Sequence, residues 1–85
     1  MSIDTFAAIA DPNRRTLLEE LRRRPRTVNE LAQRMPISRP AVSQHLKTLL
    51  ENRLVTVNAR GTHRVYSIDT DGFTRLNTWL DQFRG

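Results

Sequence analysis

Reading from residue 1, apolar positions first recur at helical spacing. Ile3, Phe6, Ala7 and Ala10, with Ala8 and Ile9 filling the intervening side, predict a first helix that is apolar nearly all round. Such a helix has to be covered on both sides. Asp11 followed by Pro12 is an N-cap with proline at the first helical position, so a second helix opens there with Leu17, Leu18 and Leu21 turned inward. Pro25 ends it near Arg24. Thr27 and Glu30 have the spacing of a capping box, and Val28, Leu31, Ala32 and Met35 form the i, i+3, i+4, i+7 stripe of a short third helix that Pro36 stops. Ser38 caps a fourth helix, Ser38–Leu50, in which Pro40 is tolerated because its missing N–H falls in the unbonded first turn. Two helices this close together form a helix-turn-helix.

After Arg53 the period changes to two. Leu54–Ala59 and Arg64–Asp69 read as the strands of a hairpin, joined by a turn of Arg60, Gly61, Thr62 and His63. Asp69 or Thr70 then caps a last helix whose stripe is Phe73, Leu76, Leu80 and Phe83, flanked by Trp79. The predicted order is α-α-α-α-β-β-α, mainly helical with one β-hairpin. Eighty-five residues suffice for one modest core and are too few for an enclosed active site of ordinary size, so residues 1–85 are read as a single domain.

The fourth helix has an unusual wet side. With Val42 at zero and 100° per residue, Leu46 and Leu49 lie within about 40° of it, while Pro40, Ser43, Gln44 and Lys47 lie near the opposite side. A solvated helix face is ordinarily filled with Glu and Lys pairs. Here the groups are short or forked and can approach a surface closely. Charge supports a polyanion as that surface. Of the net +5, residues 1–21 contribute −2 and residues 65–85 contribute −1, while residues 22–64 hold nine arginines and Lys47 against Glu30 and Glu51, a net +8. A basic centre of this kind fits nucleic acid. The bland alternative is an arginine-rich solvated surface, since Arg outnumbers Lys 13 to 1.

Four stretches together, Ala10–Leu21, Thr27–Met35, Ser38–Val55 and Arg60–Ile68, resemble the ArsR-type (ArsR/SmtB-like) small winged helix-turn-helix repressors of bacteria. The similarity spans almost the whole chain, and the order and spacing of the motifs are more specific than any one of them. It implies a sequence-specific, homodimeric repressor in which the fourth helix enters the major groove of double-stranded DNA at an inverted-repeat operator. Carried over residue by residue, the groove helix would present Ser38, Arg39, Pro40, Ser43, Gln44, His45 and Lys47, and the wing, within residues 54–69, would present Arg60, Thr62, His63 and Arg64. The chemistry agrees independently: Arg pairs with guanine and Gln with adenine in the major groove, while Ser hydroxyls and free N–H groups at a helix start reach phosphate.

The resemblance also implies that terminal helices, over residues 2–10 and 70–84, build the dimer. Four of the five aromatics, Phe6, Phe73, Trp79 and Phe83, lie in the first ten or last thirteen residues, and aromatics are enriched at interface cores. The expected interface is Ile3, Phe6, Ala10, Phe73, Leu76, Trp79, Leu80 and Phe83. The alternative is that these side chains simply wrap one monomer. Two departures from the family pattern affect local geometry: Pro36 in the inter-helix turn, and Arg53 where glycine is usual, so that Asn52 is expected to take the left-handed conformation instead.

The chain has no cysteine, which excludes disulfides, thiolate metal sites and thiol switches, and the last helix has no histidine. His45 and His63 have no second ligand near in sequence and read as DNA contacts or solvated residues. No metal and no cofactor are expected, and any small-molecule effector is left open. An enzyme is disfavoured: Ser43 and His45 diverge on a helix and cannot pair as nucleophile and base, and Gly61, Gly72 and Gly85 form no phosphate-binding motif. The other readings are a winged-helix protein-protein module, whose groove face would be neutral or acidic, and a non-specific DNA-binding protein. The longest apolar run, Phe6–Ala10, is far below the roughly 20 residues of a membrane span, and no basic segment precedes it, so a cytoplasmic protein without signal peptide or membrane contact is expected.

Overall fold

The computed structural model describes residues 4–85, so Ile3 lies outside the described residues. Five helices and three strands follow in the order α1 (Thr5–Ala10), α2 (Pro12–Arg23), β1 (Arg26–Thr27), α3 (Val28–Arg34), α4 (Arg39–Glu51), β2 (Val55–Arg60), β3 (His63–Ile68) and α5 (Thr70–Asp81). Each helix starts where a side chain can serve the unpaired N–H groups of a first turn. Asp4 is one of these caps: it is extended and accepts from the backbone of Ala7, so α1 begins at Thr5 and not at residue 2. Asp11 accepts from Asn13 and Arg14 to open α2, with Pro12 at its first position as expected. Both halves of the capping box form at α3: Glu30 N–H donates to Thr27 Oγ1 and Thr27 N–H donates to Glu30 Oε1. Ser38 caps α4 and Asp69 caps α5. α5 ends at Asp81, short of residue 84, and its exit tightens into i→i+3 bonds from Phe83 to Leu80 and from Arg84 to Asp81.

The helix-turn-helix is flanked in sequence by the strands of one sheet, β1 before it and β2 and β3 after it, in the spatial order β1-β3-β2, all antiparallel. β1 was not foreseen. Pro25 biases Arg24 to extended backbone and the cap geometry of Thr27 is extended as well, so the short link between α2 and α3 is already strand-like and pairs Arg26 with Tyr66 and Thr27 with Val65. The hairpin keeps the expected pairing of Ala59 with Arg64, but each strand begins and ends one residue nearer the turn. Arg60 pairs with His63, leaving a two-residue loop of Gly61 and Thr62. Gly61 at φ 61° supplies the positive φ that the first loop position of a type II′ turn requires.

The core forms where these elements converge. Leu17, Leu18 and Leu21 of α2, Leu31 of α3, and Val42, Leu46 and Leu49 of α4 are buried with Leu54, Val55 and Tyr66, while α1 buries Ala8 and packs Ile9, half-buried, against them. Arg26, 5% exposed, is the buried charge among them. Its Nε donates to the carbonyl of Glu20 at 3.3 Å and its Nη2 lies 3.4 Å from Glu20 Oε1, and Glu20 also receives Arg34. One carboxylate therefore ties α2, β1 and α3. The hydrogen bond from Arg34 holds the Glu20 carboxyl below its usual range, outweighing partial burial, with the charges of Arg34, Arg26 and Arg23 acting in the same direction.

Where α4 hands over to the sheet, the residue with positive φ is Arg53, at 57°, and Asn52 has φ −94°. The expectation for Asn52 is thus corrected. Asn52 instead closes the helix end, its amide Nδ2 donating to the carbonyl of Thr48 at 2.9 Å, so the reversal falls one residue later. The Arg53 carbonyl then faces α5 so closely that a Cβ at Gly72 would sit 1.8 Å from it. Gly72 is required by this approach.

Candidate nucleic-acid interface

α4 turns Val42, Leu46 and Leu49 into the core and leaves its other side outward. Arg39, Pro40, Gln44 and Lys47 are exposed along it, with Ser43 half-buried between them. Ser38 is exposed at the helix start; its Oγ accepts from Ala41 N–H at 3.3 Å, which leaves the hydroxyl proton free to donate. The hairpin projects beside this end of the helix with Arg60, Thr62, His63 and Arg64 all exposed. The two elements meet: Arg39, Thr62, His63 and Arg64 line one groove of about 370 Å³, closed on its third side by the first turn of α3. Arg39, Lys47, Arg60 and Arg64 have no acidic partner among the described residues.

His45 is placed apart from that group. It sits half-buried against α2, with Nδ1 3.2 Å from Arg14 Nη1. A guanidinium only donates, so in that contact Nδ1 stands on the accepting side. Arg14 is itself a hub. Its Nε and Nη2 donate to the carbonyls of Ala8 and Ala7, and Arg15 Nη1 donates to those of Ile9 and Ala10. Together the two arginines satisfy all four carbonyls that the end of α1 leaves unpaired. Asp11 lies beside this cluster. Partial burial pushes its carboxyl up, but the N–H and charge of Arg14, the N–H of Asn13 and the nearby His45 outweigh that and hold it below its usual range.

A residue that sequence reasoning missed is Asn29, whose Oδ1 accepts from Arg39 Nε. The two lie ten positions apart, and only the packing of α3 on α4 brings them together. At the far end of the molecule, α1 and α5 converge on an aromatic stack. The rings of Phe6 and Trp79 are 4.8 Å apart, as are those of Trp79 and Phe83, in tilted geometry. These groups remain open: Phe6 is 43%, Trp79 46%, Leu80 46% and Phe83 67% exposed. Ala10 is also exposed and Leu76 half-buried. Phe73 differs, packing on the core beside Leu18 and Ile68. Among the described residues no three His, Cys, Asp or Glu side chains are grouped to hold a metal ion, and no helix is long and apolar enough to cross a membrane.

A helix-turn-helix whose second helix stands beside a basic β-hairpin defines a winged helix-turn-helix regulator. The pattern shared by the bacterial regulatory proteins of the arsR family matches residues 11–57, and the chain belongs to that family. It is 51% identical over 78 residues to the HTH-type transcriptional regulator Rv2034 of Mycobacterium tuberculosis, covering 92% of this chain and 73% of that one. With the transcriptional repressor SdpR of Bacillus subtilis it shares 30% identity over 80 residues, 94% of this chain and 89% of the other. A crystal structure of a possible transcriptional regulator for arsenical resistance superposes with a TM-score of 0.86 at 41% identity, covering 95% of this chain and 84% of that chain. The fold and family are those of transcriptional regulators and not of enzymes.

Proposed function

We propose that the protein is a homodimeric, sequence-specific repressor whose two protomers read the halves of an inverted repeat, each through the outer face of α4 with the hairpin as a wing. The observation that carries this reading is the single basic groove into which Arg39 at the start of α4 and Thr62, His63 and Arg64 at the wing tip all open. A major groove admits one helix, and the forked groups near its N-terminal half, Arg39 and Gln44, are those suited to base edges. Lys47, Arg60 and Arg64 suit phosphates. Dimerisation through α1 and α5 is supported by the exposed Phe6, Trp79, Leu80 and Phe83, an apolar patch of the kind that marks an interface. Phe73, packed on the core, serves the monomer instead.

The test is a salt series of binding to an operator selected from random duplexes, against random DNA. Arg39→Ala or Gln44→Ala should cost about 1–3 kcal/mol on the operator and little on random DNA. Arg60→Ala and Arg64→Ala should weaken both duplexes evenly and lower the salt slope. Leu80→Asp should convert a sedimenting dimer to monomer and abolish the inverted-repeat advantage with every DNA-facing residue intact. A monomeric wild type at micromolar concentration, or full operator preference in the Arg39 and Gln44 variants, would overturn the reading.

A further inference from the structure

Resting on that reading, we infer that Asn29 of α3 is a positioning residue for sequence readout and restricts Arg39 to pairing with a single guanine through its Nη1 and Nη2 end. A guanidinium offers paired N–H groups on more than one edge: side-on through Nε with one Nη, or end-on through both Nη atoms. In this structure Nε is already engaged by Asn29 Oδ1. The assignment of the amide follows from chemistry, since a guanidinium has no acceptor and only the oxygen of Asn29 can face it. The side-on edge is therefore spent, and the end-on pair is what remains for guanine O6 and N7.

The placement gives the contact its effect. Arg39 is the first residue of α4, exposed, on a long side chain that would otherwise sample many rotamers. Asn29 is exposed in the first turn of α3 and lines the same groove as Arg39 and the wing tip, on the wall that a DNA strand would run along. Tying Nε to a second helix orders Arg39 before DNA arrives, so less freedom is lost when it binds its base. Asn29 needs no contact with DNA for this.

The experiment measures affinity for the selected operator and for its single-base-pair variants, by fluorescence anisotropy at several salt concentrations, for wild type, Arg39→Ala, Asn29→Ala and Asn29→Asp. Arg39→Ala identifies the base pair that Arg39 reads by losing discrimination there. Asn29→Ala should reduce discrimination at that same base pair by about three- to tenfold, the scale of ordering one long side chain, with other positions and the salt slope unchanged. Asn29→Asp keeps an acceptor for Nε and should retain the discrimination, while binding every duplex more weakly because a carboxylate then faces phosphates. A merely structural role would lower affinity without a change confined to one base pair. If Arg39→Ala loses the preference and Asn29→Ala keeps it in full, or Asn29→Asp loses it as Asn29→Ala does, the role of Asn29 is refuted with the DNA reading intact. If Arg39→Ala keeps full preference, the reading of Arg39 fails and the role of Asn29 falls with it.

Discussion

Replacing Gly72 with alanine sets helix propensity against packing. Gly72 is the third residue of α5, where alanine would be favoured over glycine by about 1 kcal/mol if the helix stood alone. Its added Cβ, however, would lie 1.8 Å from the Arg53 carbonyl oxygen and 2.9 Å from the carbonyl carbon. Both are backbone atoms, so the start of α5 would have to retreat by more than an ångström. It is pinned at that point: Asp69 N–H donates to the Leu54 carbonyl at 3.0 Å, and the Asp69 carboxylate caps Asp71 at 3.1 Å and Gly72 at 3.4 Å. Overpacking costs about 1–3 kcal/mol and occasionally more, and a backbone obstacle belongs at the upper end. After the propensity gain, a net loss of about 2 kcal/mol is expected, or roughly 8–16 °C in Tm for a domain of this size. Thermal unfolding followed by circular dichroism measures it, at equal chain concentration because the proposed dimer would make Tm concentration-dependent. A Tm equal to or above that of the parent would show that the junction yields freely, and the close approach would not be what requires glycine.

Arg53→Gly should act in the opposite sense. Relief of the positive φ is worth about 1–2 kcal/mol, the added freedom of the unfolded chain removes about 0.4–1, and a rise of roughly 0.5–1 kcal/mol in urea unfolding is expected; a fall would refute it. Acid should weaken the fold in a defined way. Asp11, Glu20 and Glu30 are all held below their ordinary values of 3.8 and 4.5, so their stabilisation is complete above those values and is lost as pH falls through the lower folded ones. Glu20→Gln should be less stable at neutral pH and lose less stability than the parent on acidification below about 4.5, and an unchanged pH profile of stability would contradict the Glu20 tie.

The helices were legible because each carries its own signals within one turn: Asp11 with Pro12, the Thr27 and Glu30 box, and Ser38 before Pro40 act over two to four residues. So was the hairpin, where the period of two is local. What could not be read depends on pairs distant in sequence. β1 is two residues long and too short to have a period, and its extended backbone becomes a strand by pairing with β3. Intrinsic preference points to Asn52 for the reversal after α4, yet Asn52 is the C-cap, its side chain bonded back to Thr48, so Arg53 takes the positive φ. His45 lies about 60° from Val42 on the helical wheel, at the edge of the buried stripe. Which way it turns is decided by Arg14, 31 positions earlier.

The electrostatic footprint needs the same correction, and it yields a number. Summed along the chain, residues 22–64 hold ten cations, and a dimer engaging all of them with phosphates would have a salt slope near −18. Position in the fold removes three: Arg24 pairs with Glu30, and Arg26 and Arg34 pair with Glu20, which lies outside the segment and so never entered its sum. Arg22 and Arg23 sit at the end of α2 and Arg53 at the turn between α4 and β2, none of them lining the groove. Arg39 faces a base in the proposed reading. Lys47, Arg60 and Arg64 remain for phosphates in each protomer, giving a slope near −5 for a symmetric dimer at its operator. Binding measured from low to moderate salt decides between these counts. A slope steeper than about −9, equivalent to ten phosphates, would mean that cations set aside here, in internal pairs or away from the groove, reach the DNA, and the partition of charge between fold and interface would be wrong.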